Sequence, residues 1–303
     1  MLTHSAAEIR MITRTVPHIV QYQGSKRNLA PLILQYMPRK FNRLIEPFAG
    51  MAAITIAVSK QQRANQYSLN DLNAPLMGIL REAIETPDVL VAEYSKVWNE
   101  QLVFEGGSVA HFYKSAANML YLLARCVKGS VRYSSTGMFN QSPDKRRKGT
   151  SPTTLAKNVY QISSYLKGKT TFSSLDYREI LKQAVPGDLV YMDPPYQGVC
   201  SSHDNRYYAG IEFDDFVGAV DELNSRGIDF MISYDGQCGE KQYGIDLPEN
   251  LGLRKVLLNA GLSSQSVLLG RKEVTYEALY LSDKLQKMTH PVCQQKLLFE
   301  EVV

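Results

Sequence analysis

"DLVYMDPPYQG", residues 188–198, sets an apolar run (Leu189, Val190, Tyr191, Met192) against an acid, two prolines and an aromatic ring. Pro186 and Gly187 punctuate the chain just before it, so a strand starts afresh at Asp188. A short, wholly apolar run between breakers suits a central strand of a parallel sheet, buried on both faces. Pro194 and Pro195 fix φ and remove two donors, so pairing stops there. In open α/β sheets, ligands bind beyond the carboxyl ends of the strands. Asp193 and Tyr196 are therefore expected at the rim of a ligand crevice. Taken alone, a turn explains Asp-Pro-Pro as well, since short motifs recur by accident. The rest of the chain decides.

Upstream, RNLAPLILQYM (27–37) reads as an amphipathic helix after the turn at Gln23-Gly24. RLIE (43–46) is a short strand that breaks at Pro47 and Gly50, and a helix follows through MAAITIAVSKQ. QYSLN (66–70) is a second strand, ending at Asn70-Asp71, with a helix from Asn73 onward. Strand, loop, helix, strand is a parallel α/β unit. The pattern then changes. Residues 87–127 read as helical throughout, and 129–150 (GSVRYSSTGMFNQSPDKRRKGT) as a basic hairpin or loop. After a helix at 152–167, strands return at TTFSS, at DLVYM and at IDFMIS (228–233). SQSVLL and VTYEALYLS read as an antiparallel ribbon around Gly270. The fold expected is α/β: a discontinuous catalytic domain, 1–74 and 166–303, carrying a mostly parallel sheet with an antiparallel C-terminal ribbon. The insert, 75–165, is mainly helical with a basic hairpin.

The 303 residues are enough for a full core, and 44% hydrophobic with 21% charged residues is an ordinary globular composition. No apolar run approaches a membrane span, and MLTHSAAEIRMITRTVPHIV has no charged head followed by an apolar core. Cys126, Cys200, Cys238 and Cys293 are scattered, without metal-ligand or redox spacing and without clustered histidines. Reduced thiols, no metal and a cytoplasmic location are expected. The net charge of +4 excludes little, but Arg125, Lys128, Arg132, Lys145, Arg146, Arg147 and Lys148 stand against one acid, Asp144. Such a stripe fits either a phosphate-binding surface or a solvated loop.

Four motifs fit one purpose: YQGSK (22–26), EPFAGMAA (46–53), NDLN (70–73) and DPPY (193–196). Phe48, Ala49 and Gly50 let a ligand approach the backbone at the first strand-to-helix turn. Asp71, roughly twenty residues beyond that turn, is placed to bind ribose hydroxyls. The turn has one glycine where a dinucleotide fingerprint needs three, which argues against a pyrophosphate. A nucleoside without phosphates fits better, and S-adenosylmethionine is the candidate.

The order of these motifs resembles that of the Dam-like, alpha-group DNA adenine-N6 methyltransferases, from about Tyr22 to Leu281. RYSSTGMFN (132–140) looks like the family's DNA-contacting hairpin, and FSSLDYREI is similar to the segment where an Asp and an aromatic hold the cofactor's adenine. Two positions depart from the pattern: Ser25 stands where a second Gly is common, and Ala52 where many members have Gly. The resemblance implies a Rossmann-like methyltransferase sheet and a DNA target-recognition insert. It implies that Tyr22 and Lys26, with Pro47, Phe48, Ala49 and Gly50, line the cofactor's methionine end. Asp71 would bind the ribose, and Asp176 and Tyr177 the adenine. Asp193, which also borders the cofactor, would with Pro194, Pro195 and Tyr196 grip a flipped adenine of double-stranded DNA. Arg132, Tyr133 and Asn140 would meet bases, and Lys145, Arg146, Arg147 and Lys148 phosphates.

An exocyclic amine is a poor nucleophile because its lone pair is delocalised into the ring. Two acceptors, the Asp193 carboxylate and the Pro194 carbonyl, favour a more tetrahedral nitrogen, and proline fixes the carbonyl in advance. Tyr196 would stack on the flipped base. Trp98, His111, Phe112, Tyr113 and Tyr121 read as packing. Phe213 and Phe216 read as a helix start facing the sheet, and Arg206, Tyr207 and Tyr208 as a loop over the base. A cytosine-N4 or RNA amino-methyltransferase is the alternative, although Ser rather than Asp is usual before Pro-Pro-Tyr in cytosine enzymes. A catalytically silent nucleic-acid binder is another, which the intact DPPY and Asp71 disfavour. A monomer is expected, with a cognate restriction endonuclease as a functional partner only.

Overall fold

Residues 16–100, 115–126, 129, 148–195, 211–238, 241–242, 244–262 and 273–288 are described by the computed structural model. Their strands are β1 (Phe41–Glu46), β2 (Ala64–Asn70), β3 (Thr170–Ser173), β4 (Leu189–Met192), β5 (Asp229–Cys238), β6 (Lys241–Gln242), β7 (Arg254–Leu262) and β8 (Val274–Leu281). They form one sheet in the order β3-β2-β1-β4-β5-β8-β7, with the short β6 paired to β5. The first five run parallel, while β8 is antiparallel to both β5 and β7. Sequence order reverses between β1 and β4, which is where such sheets open a crevice at their carboxyl ends.

β4 is the central strand its sequence promised. Leu189 and Tyr191 enter one buried cluster, Val190 and Met192 the other, and all four are at most 2% exposed. Burying each contributes roughly 1.5–3 kcal/mol. The turn before it is tied down on both sides. The Asp188 carboxylate accepts from Arg43 Nη2 at 2.6 Å and from the Val185 amide at 3.0 Å. The Gly187 carbonyl accepts the Asn42 amide at 3.0 Å, next to the start of β1.

The helix expected over 27–37 is shortened. A 3-10 turn at Lys26–Asn28 leads into α1 (Ala30–Ile33), after which Gln35, Tyr36 and Met37 donate to carbonyls three residues back. Pro31 is the reason. It is tolerated in the first turn of a helix that starts at Ala30. In one that starts at Arg27 it would lack the amide owed to the Arg27 carbonyl and clash with it.

α2 (Ala53–Lys60), α3 (Ala74–Glu85), α4 (Pro87–Glu100), α5 (Ala116–Arg125) and α6 (Pro152–Leu166) cover one face. Ser115 and Ser151 cap α5 and α6, each accepting from an amide three residues on. The expected limits of the insert fall at the start of α3 and the end of α6. Within those limits Leu76, Leu90, Leu120 and Val159 share one buried cluster with Leu44 of β1 and Leu69 of β2. Tyr121 is buried in it, and Trp98 packs against it. α7 (Tyr177–Leu181) and α8 (Phe213–Ser225) cover the other face, where Phe216 is fully buried and Phe213 packs at the edge. The chain's last described element is α9 (Asp283–Met288).

The C-terminal ribbon is β7 and β8. Its first strand lies at 254–262, earlier than the expected SQSVLL, which falls outside the described residues. β7 is an edge strand on which only Leu258 of the described side chains is buried, the rest being half-buried or exposed, so its alternation is faint in the sequence. β5 runs past the expected 233 to Cys238 through a bulge between Ser233 and Gly236. A Cβ on Gly236 would fall 1.9 Å from the Tyr276 carbonyl oxygen, so only glycine fits there. No described helix is long and apolar enough to cross a membrane.

Candidate active site

β1 delivers Glu46 to the crevice floor. Its carboxyl accepts the Thr55 amide at 2.5 Å, in the first turn of α2, and is 2% exposed. Burial pushes it up to about 8, against the pull of that hydrogen bond, so it is protonated at neutral pH. The chain then turns through Pro47, Phe48, Ala49 and Gly50. Gly50 has φ +50, and a Cβ there would stand 3.3 Å from the Tyr22 ring. Ala52 also sits in the left-handed region, at φ 55 and ψ 38, a conformation glycine adopts without strain and alanine at a cost of about 1–2 kcal/mol.

β2 ends on Asn70, which sequence reading passed over. It is 1% exposed and fastens three loops together. Its Nδ2 donates to the Pro47 carbonyl at 3.0 Å and the Leu175 carbonyl at 2.9 Å, while its Oδ1 accepts from the Leu175 amide and the Ser173 hydroxyl. Asp71 follows. Its Oδ2 accepts the Gly50 amide and its Oδ1 the Asn73 amide, both at 2.9 Å. Burial pushes the Asp71 carboxyl up, and these two donors pull it back. Beyond β3, Asp176 caps α7 and pairs with Arg178 at 2.9 Å, which holds its carboxyl below the usual range. Arg178 also reaches Asp215 at 3.0 Å. The Tyr177 ring lies 5.2 Å from that of Phe48, and its buried hydroxyl has no hydrogen-bond partner among the described residues.

β4 delivers Asp193, Pro194 and Pro195. Lys26, 7% exposed, stands 2.8 Å from Asp193 Oδ1 and 3.0 Å from Glu277 Oε1 of β8. Burial pushes the Asp193 carboxyl up, Lys26 pulls it back, and Glu277 adds to the rise. Beside them Tyr191 and Ser233 share a hydrogen bond of 2.7 Å between hydroxyls.

These groups line one cavity of about 640 Å³. It brings together Tyr22, Lys26, Pro47, Phe48, Ala49, Gly50, Asp71, Asp176, Tyr177, Asp193, Pro194 and Pro195, predicted from sequence. It adds Glu46, Asn70 and Glu277. Tyr196, Arg132, Tyr133, Asn140, Lys145, Arg146 and Arg147 lie outside the described residues, as do His111, Phe112, Tyr113 and the loop of Arg206, Tyr207 and Tyr208. Lys148 is described and exposed. Gly129 is described too. Its carbonyl accepts the Gln23 amide at 3.2 Å, and a Cβ on it would fall 1.9 Å from the Gln21 carbonyl oxygen.

The arrangement offers a carboxyl group followed by two prolines at the end of β4, an acid at the end of β2 and an aromatic pair at the cavity wall. Residues 22–257 match the family model of the D12 class N6 adenine-specific DNA methyltransferases. The Type II methyltransferase M1.LlaDCHI of Lactococcus lactis subsp. cremoris is 29% identical over 231 residues, 70% of this chain and 79% of that protein. The Type II methyltransferase M.MjaIII of Methanocaldococcus jannaschii is 23% identical over 299 residues, 88% of this chain and 99% of that protein. The DNA N-6-adenine-methyltransferase of Escherichia phage P1 is 25% identical over 234 residues, 72% of this chain but 30% of that longer protein.

Proposed function

Because the chain belongs to the D12 class N6 adenine-specific DNA methyltransferases, which methylate adenine in DNA with S-adenosylmethionine, we propose that the cavity between β1 and β4 seats both that cofactor and the target base. The residues fit a nucleoside that lacks phosphates. The Gly50 amide is occupied by Asp71, and the Thr55 amide at the start of α2 by Glu46. A pyrophosphate would find neither donor free and would meet carboxyl groups instead. The Tyr177 hydroxyl, without a partner among the described residues, and the Phe48 ring suit a flat heterocycle, and Asp71 keeps lone pairs for ribose hydroxyls.

When bound, S-adenosylmethionine supplies a methyl group on a positively charged sulfur. Asp71 accepts from the ribose, Phe48 and Tyr177 wall the adenine, and Tyr22 and Lys26 border the methionine end. Asp176, paired with Arg178 on the cavity wall beside Tyr177, would hold the adenine with it. The Asp193 carboxylate and the Pro194 carbonyl accept the two hydrogens of the target amine, and Tyr196 stacks on its ring. With its hydrogens engaged by Asp193 and Pro194, the amine would present its lone pair to the methyl group that the cofactor supplies. The nitrogen's surplus proton then passes to Asp193 or to water. Residues 75–165 choose the site in double-stranded DNA through Arg132, Tyr133 and Asn140, with Lys145 to Lys148 on phosphates.

One observation carries this reading: a half-buried carboxylate at the end of β4, paired with Lys26 at 2.8 Å, in a cavity of about 640 Å³. The test is incubation with methyl-labelled S-adenosylmethionine and duplex DNA, followed by nucleoside analysis. Label on N6-methyladenine is expected. Label on cytosine or on RNA alone, or none at all, would remove the reading.

A further inference from the structure

Glu277 is an odd residue for its place. On β8 it shares a side with Leu279 and Leu281, both fully buried in the first core cluster. An apolar side chain there would favour stability, since taking a carboxylate out of water is costly. The fold makes room for it nonetheless. Glu277 pairs across the sheet with Gly236, at the bulge in β5, where no Cβ fits. From there its Oε1 reaches Lys26 Nζ at 3.0 Å, on the cation that already holds Asp193 at 2.8 Å.

Charge balance does not explain a second anion. Lys26 alone matches Asp193, so Lys26, Asp193 and Glu277 together carry one net negative charge. Among the described residues, the other titratable groups facing Asp193 add no positive charge: Glu46 of β1, protonated at neutral pH, and Tyr191 of β4, whose hydroxyl burial pushes up. Resting on the function proposed above, we propose that Glu277 is a positioning residue: it fixes Lys26 on Asp193 Oδ1, leaving Oδ2 for the target amine, and gives the cavity floor a negative charge that favours a sulfonium cofactor over its neutral thioether product. Methyl transfer moves the positive charge from sulfur to the amine nitrogen. One anionic floor thus serves both ends of the reaction and loosens its hold on the spent cofactor.

The test compares wild type, Glu277→Gln and Glu277→Asp, with S-adenosylmethionine and S-adenosylhomocysteine titrated calorimetrically into each. Glu277→Gln should lower the preference for the sulfonium compound about tenfold, through weaker S-adenosylmethionine binding, and leave S-adenosylhomocysteine binding unchanged. Removing this charge also makes Asp193 easier to ionise, so the rise of kcat/KM with pH should move to lower pH. Glu277→Asp, shorter but still charged, should keep the sulfonium preference and show a lower kcat. Equal loss of both compounds in Glu277→Gln, an unmoved pH profile, or a preference lost equally in Glu277→Asp would overturn the inference. If wild type methylates adenine while these outcomes hold, the inference alone fails. If wild type binds neither compound, the reading of the site falls with it.

Discussion

Asp193 must stay ionised where burial disfavours it, because only the ionised carboxylate accepts a hydrogen of the target amine without offering one. Asp193→Ala is therefore expected to cost about 3 kcal/mol or more in the rate of transfer, while S-adenosylmethionine still binds. Turnover like that of wild type would sink the mechanism. Burial also sets where the wild-type rate begins to climb: above the ordinary carboxylate range, since the Asp193 carboxyl is pushed up. Glu46 makes a separate prediction, about stability. Its carboxyl is raised from 4.5 to about 8 in the fold, so between those values the folded chain holds a proton that the unfolded chain has lost. Stability from this group is complete below the ordinary glutamate range. It declines with rising pH at up to about 1.4 kcal/mol per unit, and levels off beyond about 8. Glu46→Gln keeps an acceptor for the Thr55 amide and has no proton to lose. Its Tm should be flatter than that of wild type between pH 5.5 and 8, and parallel curves would contradict the assignment.

The loops that end β1, β2 and β3 act as one piece because Asn70 and Asp71 tie them together. Asp71→Ala strips the acceptor from two backbone amides, so a loss of about 1–3 kcal/mol in unfolding free energy is expected alongside a loss of about 1.5–3 kcal/mol in cofactor affinity. Denaturant unfolding and calorimetry read the two separately. If saturating S-adenosylmethionine fails to restore most of the activity, the ribose assignment is wrong. What the sequence showed and what it hid divide along this joint. β4 was legible because a wholly apolar run between breakers has few other fates, and Asp71 because an acid at a strand end roughly twenty residues beyond a glycine turn is a recurring ribose-binding pattern. Asn70 was not, since its partners Pro47 and Leu175 lie 23 and 105 residues away and only the parallel pairing brings them together. Glu277 was hidden for the same reason: nothing near β8 in sequence announces Lys26. The helix over 27–37 is shorter than its apolar spacing promises because Pro31 outweighs it, and the strand at 254–262 is hard to see because an edge strand carries little pattern.

Across the whole molecule, the cofactor motifs and the basic stretch meet at Gly129. Its carbonyl holds the Gln23 amide beside Tyr22 and Lys26, so the stretch that begins there starts at the wall of the cavity. At the far end, the Thr150 carbonyl accepts the Tyr94 hydroxyl at 2.7 Å, on the helical core. A segment fixed at both ends, carrying Arg132, Tyr133 and Asn140 and then four consecutive cations at 145–148, suits a chain that must read a site and clamp its backbone. The two jobs separate by experiment. Side chains on phosphates release counterions and carry no sequence information. Replacing Lys145, Arg146, Arg147 and Lys148 with alanine should weaken binding to cognate and scrambled duplexes alike. It should also flatten the dependence of log K on log salt by about 0.9 for every phosphate no longer neutralised. Side chains on base edges do the reverse: Arg132→Ala or Asn140→Ala should narrow the gap between the correct site and near-matches by about 1–3 kcal/mol and leave the salt slope nearly unchanged for Asn140. Equilibrium binding at several salt concentrations, with both duplexes, reads each effect. An unaltered slope in the four-fold variant would mean that the cations at 145–148 are only a solvated run, and that the positive charge steering this enzyme onto DNA lies elsewhere on its surface.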